Sequence, residues 1–338
     1  MKKVISGQEL EPFVHGALDT SFDDAGRMHF HRFTEPQLKR YDVDGLWRGT
    51  DFRKVASASS GIIIEMITDS DILGLNYLWT PATSQIWAGF DLYVDGCLYD
   101  HLFSDNQRHG ILCFDLPEGE HKVALYLPWS VDLGITRIVL SDGASVKPVD
   151  PHPLRILAFG DSITQGYITV HPSLSYASIM TRKTDAECLN QAIGGYWFQK
   201  ESLDQALASW KPDVITVAYG INDYSLKDDK EKYGRDAREY IDTLTGIFPG
   251  TPILGILPIH RPSPRGLARE KMINYSLDEA KNMLREAYGR YPQITVLEDT
   301  YYPRQADFYA PDLIHPNDLG FTFYGEAVVK KLKEMNIG

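Results

Sequence analysis

Cysteine is scarce: Cys97, Cys113 and Cys188 are the only three in 338 residues. Three scattered thiols do not build a disulfide framework, and none belongs to a CxxC pair that could seat zinc. They read as reduced, partly buried thiols. Long apolar runs are also missing. None approaches the ~20 residues that cross a bilayer, which argues against a membrane protein. Positive charge is in deficit, with 34 Lys and Arg against 46 Asp and Glu and a net charge of −12. That balance works against the basic stripe that phosphate backbones demand, so nucleic acid is not expected as a partner. The N-terminus, MKKVISGQELEPF, has two lysines but no apolar stretch of secretory length, and a cytoplasmic address is expected from it. No internal repeat or low-complexity tract occurs.

What is present has two grammars. The chain is 43% apolar and about twice the usual single-domain length, which predicts two domains with sizeable cores. From about Phe13 to Leu140 the apolar pattern is short and alternating, with turn residues every eight to twelve positions, as in an all-β sandwich. Strands are predicted at 61–68, 72–79, 87–94, 110–116, 121–127 and 134–141. Asp95-Gly96 is a two-residue hairpin signal, because both turn positions want positive φ. The pattern dissolves at DGASVKPVDPHP (142–153), linker chemistry that puts a boundary between a first domain at 1–148 and a second at 149–338. Beyond it, near-continuous apolar runs (LRILAFG, DVITVAYG, PILGILP, ITVLED) alternate with helices predicted at 199–209, 228–247, 275–290 and 320–334. Such strands are covered on both faces, so the second half reads as a doubly wound α/β domain.

Ligands of such sheets bind at the carboxyl ends of the strands. Gly160-Asp161-Ser162 follows the first strand, and a serine on a tight strand-to-helix turn suits a nucleophile, although Ser and Asp there also suit a plain N-cap. Ile193-Gly194-Gly195 follows ECLNQA, where a free N–H could face an oxyanion or the glycines could simply turn the chain. Gly220-Ile221-Asn222-Asp223 follows the third strand, and an Asn amide is a neutral oxyanion donor as well as a common cap. Near the C-terminus, Asp312 precedes His315 by three residues, close enough to hold Nδ1 and leave Nε2 free as a base. Each signal alone has a bland reading. Together, at four strand ends of one sheet, they supply a nucleophile, a base with its orienting acid, and oxyanion donors, the parts needed for acyl transfer.

Over residues 154–334 these blocks resemble the SGNH, or GDSL-type, hydrolases. Ser162 matches the serine of the GDS block, Asn222 the GxND block, and Asp312 and His315 the DxxH block. Gly195 rather than Gly194 matches the family glycine, because it lies five positions after Asn190. No GxSxG elbow occurs, which argues against the α/β-hydrolase fold. In the first half, Gly89-Phe90-Asp91-Leu92-Tyr93 looks like the GxDLY motif of a β-sandwich that precedes one SGNH branch. The resemblance implies a flavodoxin-like hydrolase domain behind a jelly-roll-like sandwich, and removal of acetyl groups from sugars. Asp91 and Tyr93 are read as structural.

The expected catalytic set is Ser162, His315 and Asp312, with the Ser162 and Gly195 N–H groups and the Asn222 amide as oxyanion donors. No cofactor or metal is required for that chemistry. His29 and His31 would share a strand face, but without a third ligand they are assigned no metal. Tyr196, Trp197, Tyr224 and His260 lie just past strand ends and are the candidate substrate-binding residues, as aromatic faces suit a sugar and equally suit a core. The expected partner is a small-molecule or oligosaccharide ester, with homo-oligomerisation left open. An acyltransferase, thioesterase or lipase with the same set is the rival among enzymes. A carbohydrate-binding protein with a vestigial site is the rival outside them.

Overall fold

A computed structural model describes residues 2–47, 49–85, 87–105, 107–226, 229–262 and 273–338. The chain divides into two compact units. The first comprises Met1–Phe33, Lys54–His152 and Val170–Ser173; the second comprises Thr34–Arg53, Pro153–Thr169 and Leu174–Gly338. The main crossing therefore follows His152, inside the Pro-rich stretch, and two short segments belong to the unit other than their position in the chain suggests. Among the described residues no helix is long and apolar enough to cross a membrane.

The first unit is built from two antiparallel sheets. One runs His109–Asp115, Ile72–Pro81, Val131–Asp142, Met28–His31, Asp19–Phe22, with Lys2–Ser6 also paired to Val131–Asp142. The other runs Cys97–Asp105, Trp87–Val94, His121–Tyr126, Ile63–Thr68, Val146–Lys147, with Val14–His15 on Ile63–Thr68. Alternation makes the core. Leu73, Leu75, Tyr77 and Trp79 from the first sheet meet Ile64, Met66, Phe90, Leu92, Val123 and Leu125 from the second in a single buried cluster. All six strands expected here form. The hairpin forms too, with Asp95 at φ 49° and Gly96 at φ 81°, the pair of positive values a type I′ turn needs. Of the thiols, only Cys188 is buried; Cys97 and Cys113 are exposed.

The expectation of pure β structure from Phe13 to Leu140 needs correction at Glu35–Asp44, which is an α-helix of the second unit. Thr34 and Gln37 close a capping box at its start, and a proline sits in its first turn. The capping signal was in the sequence, but the helix buries only Gln37 and Tyr41, so it carries little apolar period to support it.

The second unit holds a five-stranded parallel sheet in the order Ala186–Ala192, Leu154–Gly160, Val214–Ala218, Ile253–Ile256, Ile294–Leu297. In chain order that is second, first, third, fourth, fifth, the flavodoxin-like arrangement, whose order reverses beside the first strand. Helices Lys230–Ile247, Leu277–Tyr288 and Asp318–Glu334 form close to expectation, residue 228 of the first lying outside the described residues. Asn317 caps the last helix, its side chain accepting from Gly320 N. The predicted helix at 199–209 is instead two 3₁₀ turns, Lys200–Ser202 and Gln205–Trp210. Ser202 Oγ donates back to Gln199 O and Asp204 accepts from Ala206 N, local bonds that interrupt an α-helical ladder.

Candidate active site

Local chemistry forces the turn that presents Ser162. A Cβ at Gly160 would lie 1.9 Å from Thr164 Oγ1, so only glycine ends this strand. Asp161 caps the following turn, its side chain accepting from Ile163 N at 3.0 Å. Ser162 is then the first helical residue, where the backbone N–H has no intrahelical acceptor. The residue is 9% exposed.

Across the site, His315 Nε2 lies 2.7 Å from Ser162 Oγ, and His315 Nδ1 lies 2.6 Å from Asp312 Oδ2. The Asp312-Leu313-Ile314-His315 turn is built around the carboxylate: Oδ1 accepts from Ile314 N at 2.9 Å and from His315 N at 3.1 Å. Leu313 takes a left-handed φ of 57°, the local strain this tight loop stores. Burial would raise the Asp312 pKa, but the imidazole hydrogen bond, its charge and the two backbone N–H groups outweigh it and hold the carboxyl below its ordinary value. The group is therefore an acceptor at neutral pH and fixes His315 with its proton on Nδ1. The Tyr167 ring packs against the imidazole, centroids 4.7 Å apart.

The glycine pair divides its labour. Ile193 to Tyr196 form a turn closed by Tyr196 N donating to Ile193 O at 3.1 Å, with Gly195 at φ 83°. Gly194 N donates to Gln165 Oε1 at 2.7 Å and is thereby spent, while a Cβ on Gly194 would sit 3.7 Å from Ser162 Cβ. Gly194 thus abuts the serine, and the next N–H, that of Gly195, makes no hydrogen bond among the described residues. Asn222 Nδ2 donates one hydrogen to Tyr196 O at 2.9 Å, which orients the amide and leaves its second N–H uncommitted among the described residues. Asp223, fully buried, accepts from Phe198 N and so ties the third strand end to the second.

Two buried carboxyls lie beneath this surface. Asp161 is 1% exposed, and burial, reinforced by the charge of Asp223, pushes its pKa up to about 7 against the Ile163 N–H bond and Arg261.

The four candidate substrate-binding residues part company. Tyr196 is 1% exposed, edge-on to Tyr41 and Phe52, with its hydroxyl on Asp44 Oδ2 at 2.5 Å. Its side chain is core and offers no ligand surface; its contribution to the site is the carbonyl that holds Asn222. Tyr224 is also buried, edge-on to Tyr275. Trp197 and His260 are half-buried. His260 lends its carbonyl to the Tyr309 hydroxyl, and burial, with Arg304 and Lys281 nearby, lowers its pKa. Tyr167 and Gln165 went unread in the sequence. Both follow Ser162 within five residues, and a contact that crosses to another strand end has no local signature.

Residues 158–322 match the model of the GDSL-like Lipase/Acylhydrolase family. The fold resembles a salicylyl-acyltransferase from a tetracycline biosynthetic pathway at TM-score 0.81 and 18% identity, covering 99% of this chain and 98% of that one. A GDSL-like lipase from Bacteroides ovatus aligns at TM-score 0.76 and 20% identity over 100% and 99% of the two chains. A family two carbohydrate esterase from Cellvibrio japonicus aligns at 0.67 and 13% over 99% and 98%. The chain has no match among the curated proteins. The family match spans the blocks that hold Ser162, Asn222 and His315, so the second half of this chain carries a GDSL-like lipase/acylhydrolase domain.

Proposed function

We propose that the protein is a serine esterase that removes short acyl groups, acetyl foremost, from carbohydrate hydroxyls. The observation that supports this most is the unbroken line from Asp312 Oδ2 through His315 to Ser162 Oγ, at 2.6 and 2.7 Å. His315 Nε2 accepts the Ser162 proton as Oγ attacks the ester carbonyl. The tetrahedral oxyanion is received by the N–H groups of Ser162 and Gly195 and the free hydrogen of Asn222. Collapse breaks the carbonyl–alkoxy bond, and His315 returns the proton to the departing sugar oxygen. Water, deprotonated by the same imidazole, then attacks the acyl-serine and releases the acid. No step needs a group beyond these side chains and water.

Support for the substrate class comes from fold neighbours that are carbohydrate esterases, including an acetyl xylan esterase from Butyrivibrio proteoclasticus, together with half-buried Trp197 at a strand end. The likeness to the salicylyl-acyltransferase along nearly the whole chain supports a second reading, in which an acceptor hydroxyl replaces water in the last step. A substrate panel separates them. Acetyl esters of xylo-oligosaccharides are expected to be cleaved faster than butyryl and longer esters, with free acetate as product. A preference for long acyl chains would overturn the short-acyl assignment, and acyl transfer to an added acceptor at the expense of acetate release would overturn the esterase reading.

A further inference from the structure

The sandwich unit holds its own convergence of ligand-type side chains. Gly89, Asp91 and Tyr93 alternate along strand Trp87–Val94 and share one of its faces. Segment Val170–Ser173 lies on that face: a Cβ on Gly89 would come 2.6 Å from Val170 O, Ser173 N donates to Asp91 Oδ2 at 2.9 Å, and the Tyr93 hydroxyl donates to Ser173 Oγ at 3.3 Å. The GxDLY motif is thus a seat for this segment, with glycine needed for the close approach. The seat also assembles a cluster. His101, cross-strand from Asp91, puts Nδ1 2.6 Å from Asp91 Oδ1; His171, from the seated segment, puts Nδ1 2.9 Å from the same oxygen. The three donor atoms lie within 4.8 Å of one another.

Asp91 is 0% exposed. Its Oδ1 faces both imidazole Nδ1 atoms and its Oδ2 accepts from Ser173 N, so the carboxylate is held at the centre of the cluster. A buried carboxylate calls for positive charge, and among the described residues no lysine or arginine pairs with this one. The other three-residue cluster of the unit differs here. Around Glu65, His152 Nε2 lies at 2.6 Å and His15 Nε2 only at 3.9 Å, and Lys122 Nζ, 3.2 Å from Oε1, already supplies the charge. His29 and His31 diverge, His29 to Asp23 and Asp132 and His31 to Ser21.

We propose that Asp91, His101 and His171 form a binding site for a divalent transition-metal ion of the zinc class, through one carboxylate oxygen and two imidazole Nδ1 atoms. Two imidazoles and one carboxylate suit zinc or cobalt, whereas calcium and magnesium favour all-oxygen sets. On binding, each imidazole carries its proton on Nε2 so that the Nδ1 lone pair faces the ion. Water completes a tetrahedral set. The His101 and His171 side chains keep 22% and 29% of their exposure, which leaves an approach from solvent. Ser173 N, bonded to Asp91 Oδ2, orients the carboxylate in the way an outer-shell partner does.

The test uses the full chain, freed of metal by chelator and titrated with Zn²⁺ alone by calorimetry and with Co²⁺ by visible absorption. One equivalent of Zn²⁺ is expected to bind, raising the melting temperature, and Co²⁺ is expected to give tetrahedral-type bands. His171→Ala and His101→Ala, checked for folding by circular dichroism, should each weaken binding at least ~100-fold, since outer-shell losses alone cost 10–100-fold. His152→Ala, in the Glu65 cluster, should bind as the parent does. Failure of the folded parent to take up one equivalent, or binding indifferent to His171→Ala, would overturn the site and leave the cluster a hydrogen-bonded seat.

Discussion

Each unit pairs an aspartate with a histidine at 2.6 Å, and the pairs differ in what lies on the far side. In the sandwich, Asp91 is wholly buried and two imidazoles turn Nδ1 toward a single oxygen. In the α/β unit, the Asp312 side chain is 32% exposed, one imidazole bonds it through Nδ1, and Nε2 meets a serine hydroxyl. A third pair, Asp95 and His121, stands at 2.6 Å on an exposed hairpin, and there Nε2 meets the Glu118 carbonyl at 3.1 Å instead of a hydroxyl. An Asp–His contact is thus a general device for fixing an imidazole. It becomes a base only where the opposite nitrogen faces a proton that must move, and a donor cradle receives the resulting charge.

The largest expected contrast lies between His315 and His121. His315→Ala should cost on the order of 10⁶ in kcat for a small chromogenic acetate, the scale at which loss of such a base silences a serine hydrolase. His121→Ala should leave kcat within about twofold, and a comparable loss in both would break the distinction. Asp312→Asn tests the orienting acid: by loss of the correct tautomer it should lower kcat up to about 10⁴-fold, with KM little changed. Asn222→Ala should lower kcat about 10²–10³-fold, again with KM nearly constant. A change confined to KM would make Asn222 a substrate contact instead.

The smallest effect concerns stability. Asp161, with its folded pKa raised to about 7 from an ordinary 3.8, keeps a proton in the folded chain that the unfolded chain has released. Folding stability therefore falls as pH rises from about 4 to about 7, by at most about 4 kcal/mol at 1.4 kcal/mol per tenfold in proton affinity. Asp161→Asn should flatten that part of the melting-temperature profile. Asp312 has the opposite sign: its depressed pKa contributes stability above the ordinary carboxyl value that is lost as pH falls through the folded one. Parallel pH profiles for Asp161→Asn and the parent would contradict the Asp161 assignment.

Much of the site was legible because its parts sit beside strand ends, and strand ends follow from apolar runs. Ser162, Gly195, Asn222, Asp312 and His315 each carry a local pattern of two to four residues. The division of labour between Gly194 and Gly195 was legible only as spacing from Asn190. In the structure Gln165 Oε1 takes the Gly194 N–H, and the Gly195 N–H makes no hydrogen bond among the described residues. Tyr196 shows the limit. An aromatic after a strand end fits a pocket wall and a core equally, and only the partners brought by helix Glu35–Asp44 and Phe52 decide for the core. Asp91 shows the same limit more sharply, for its second imidazole lies 80 residues along the chain and no period links them.

Covalent labelling tests the central claim most directly. The native chain, treated with an organophosphonate ester and digested, should carry one phosphonyl group on Ser162 by mass spectrometry, with esterase activity lost in proportion. The His315→Ala chain should label far more slowly. Phosphonylation elsewhere with Ser162 unmodified, or a native chain that stays unlabelled while its ester hydrolysis persists, would contradict the relay from Asp312 through His315 to Ser162.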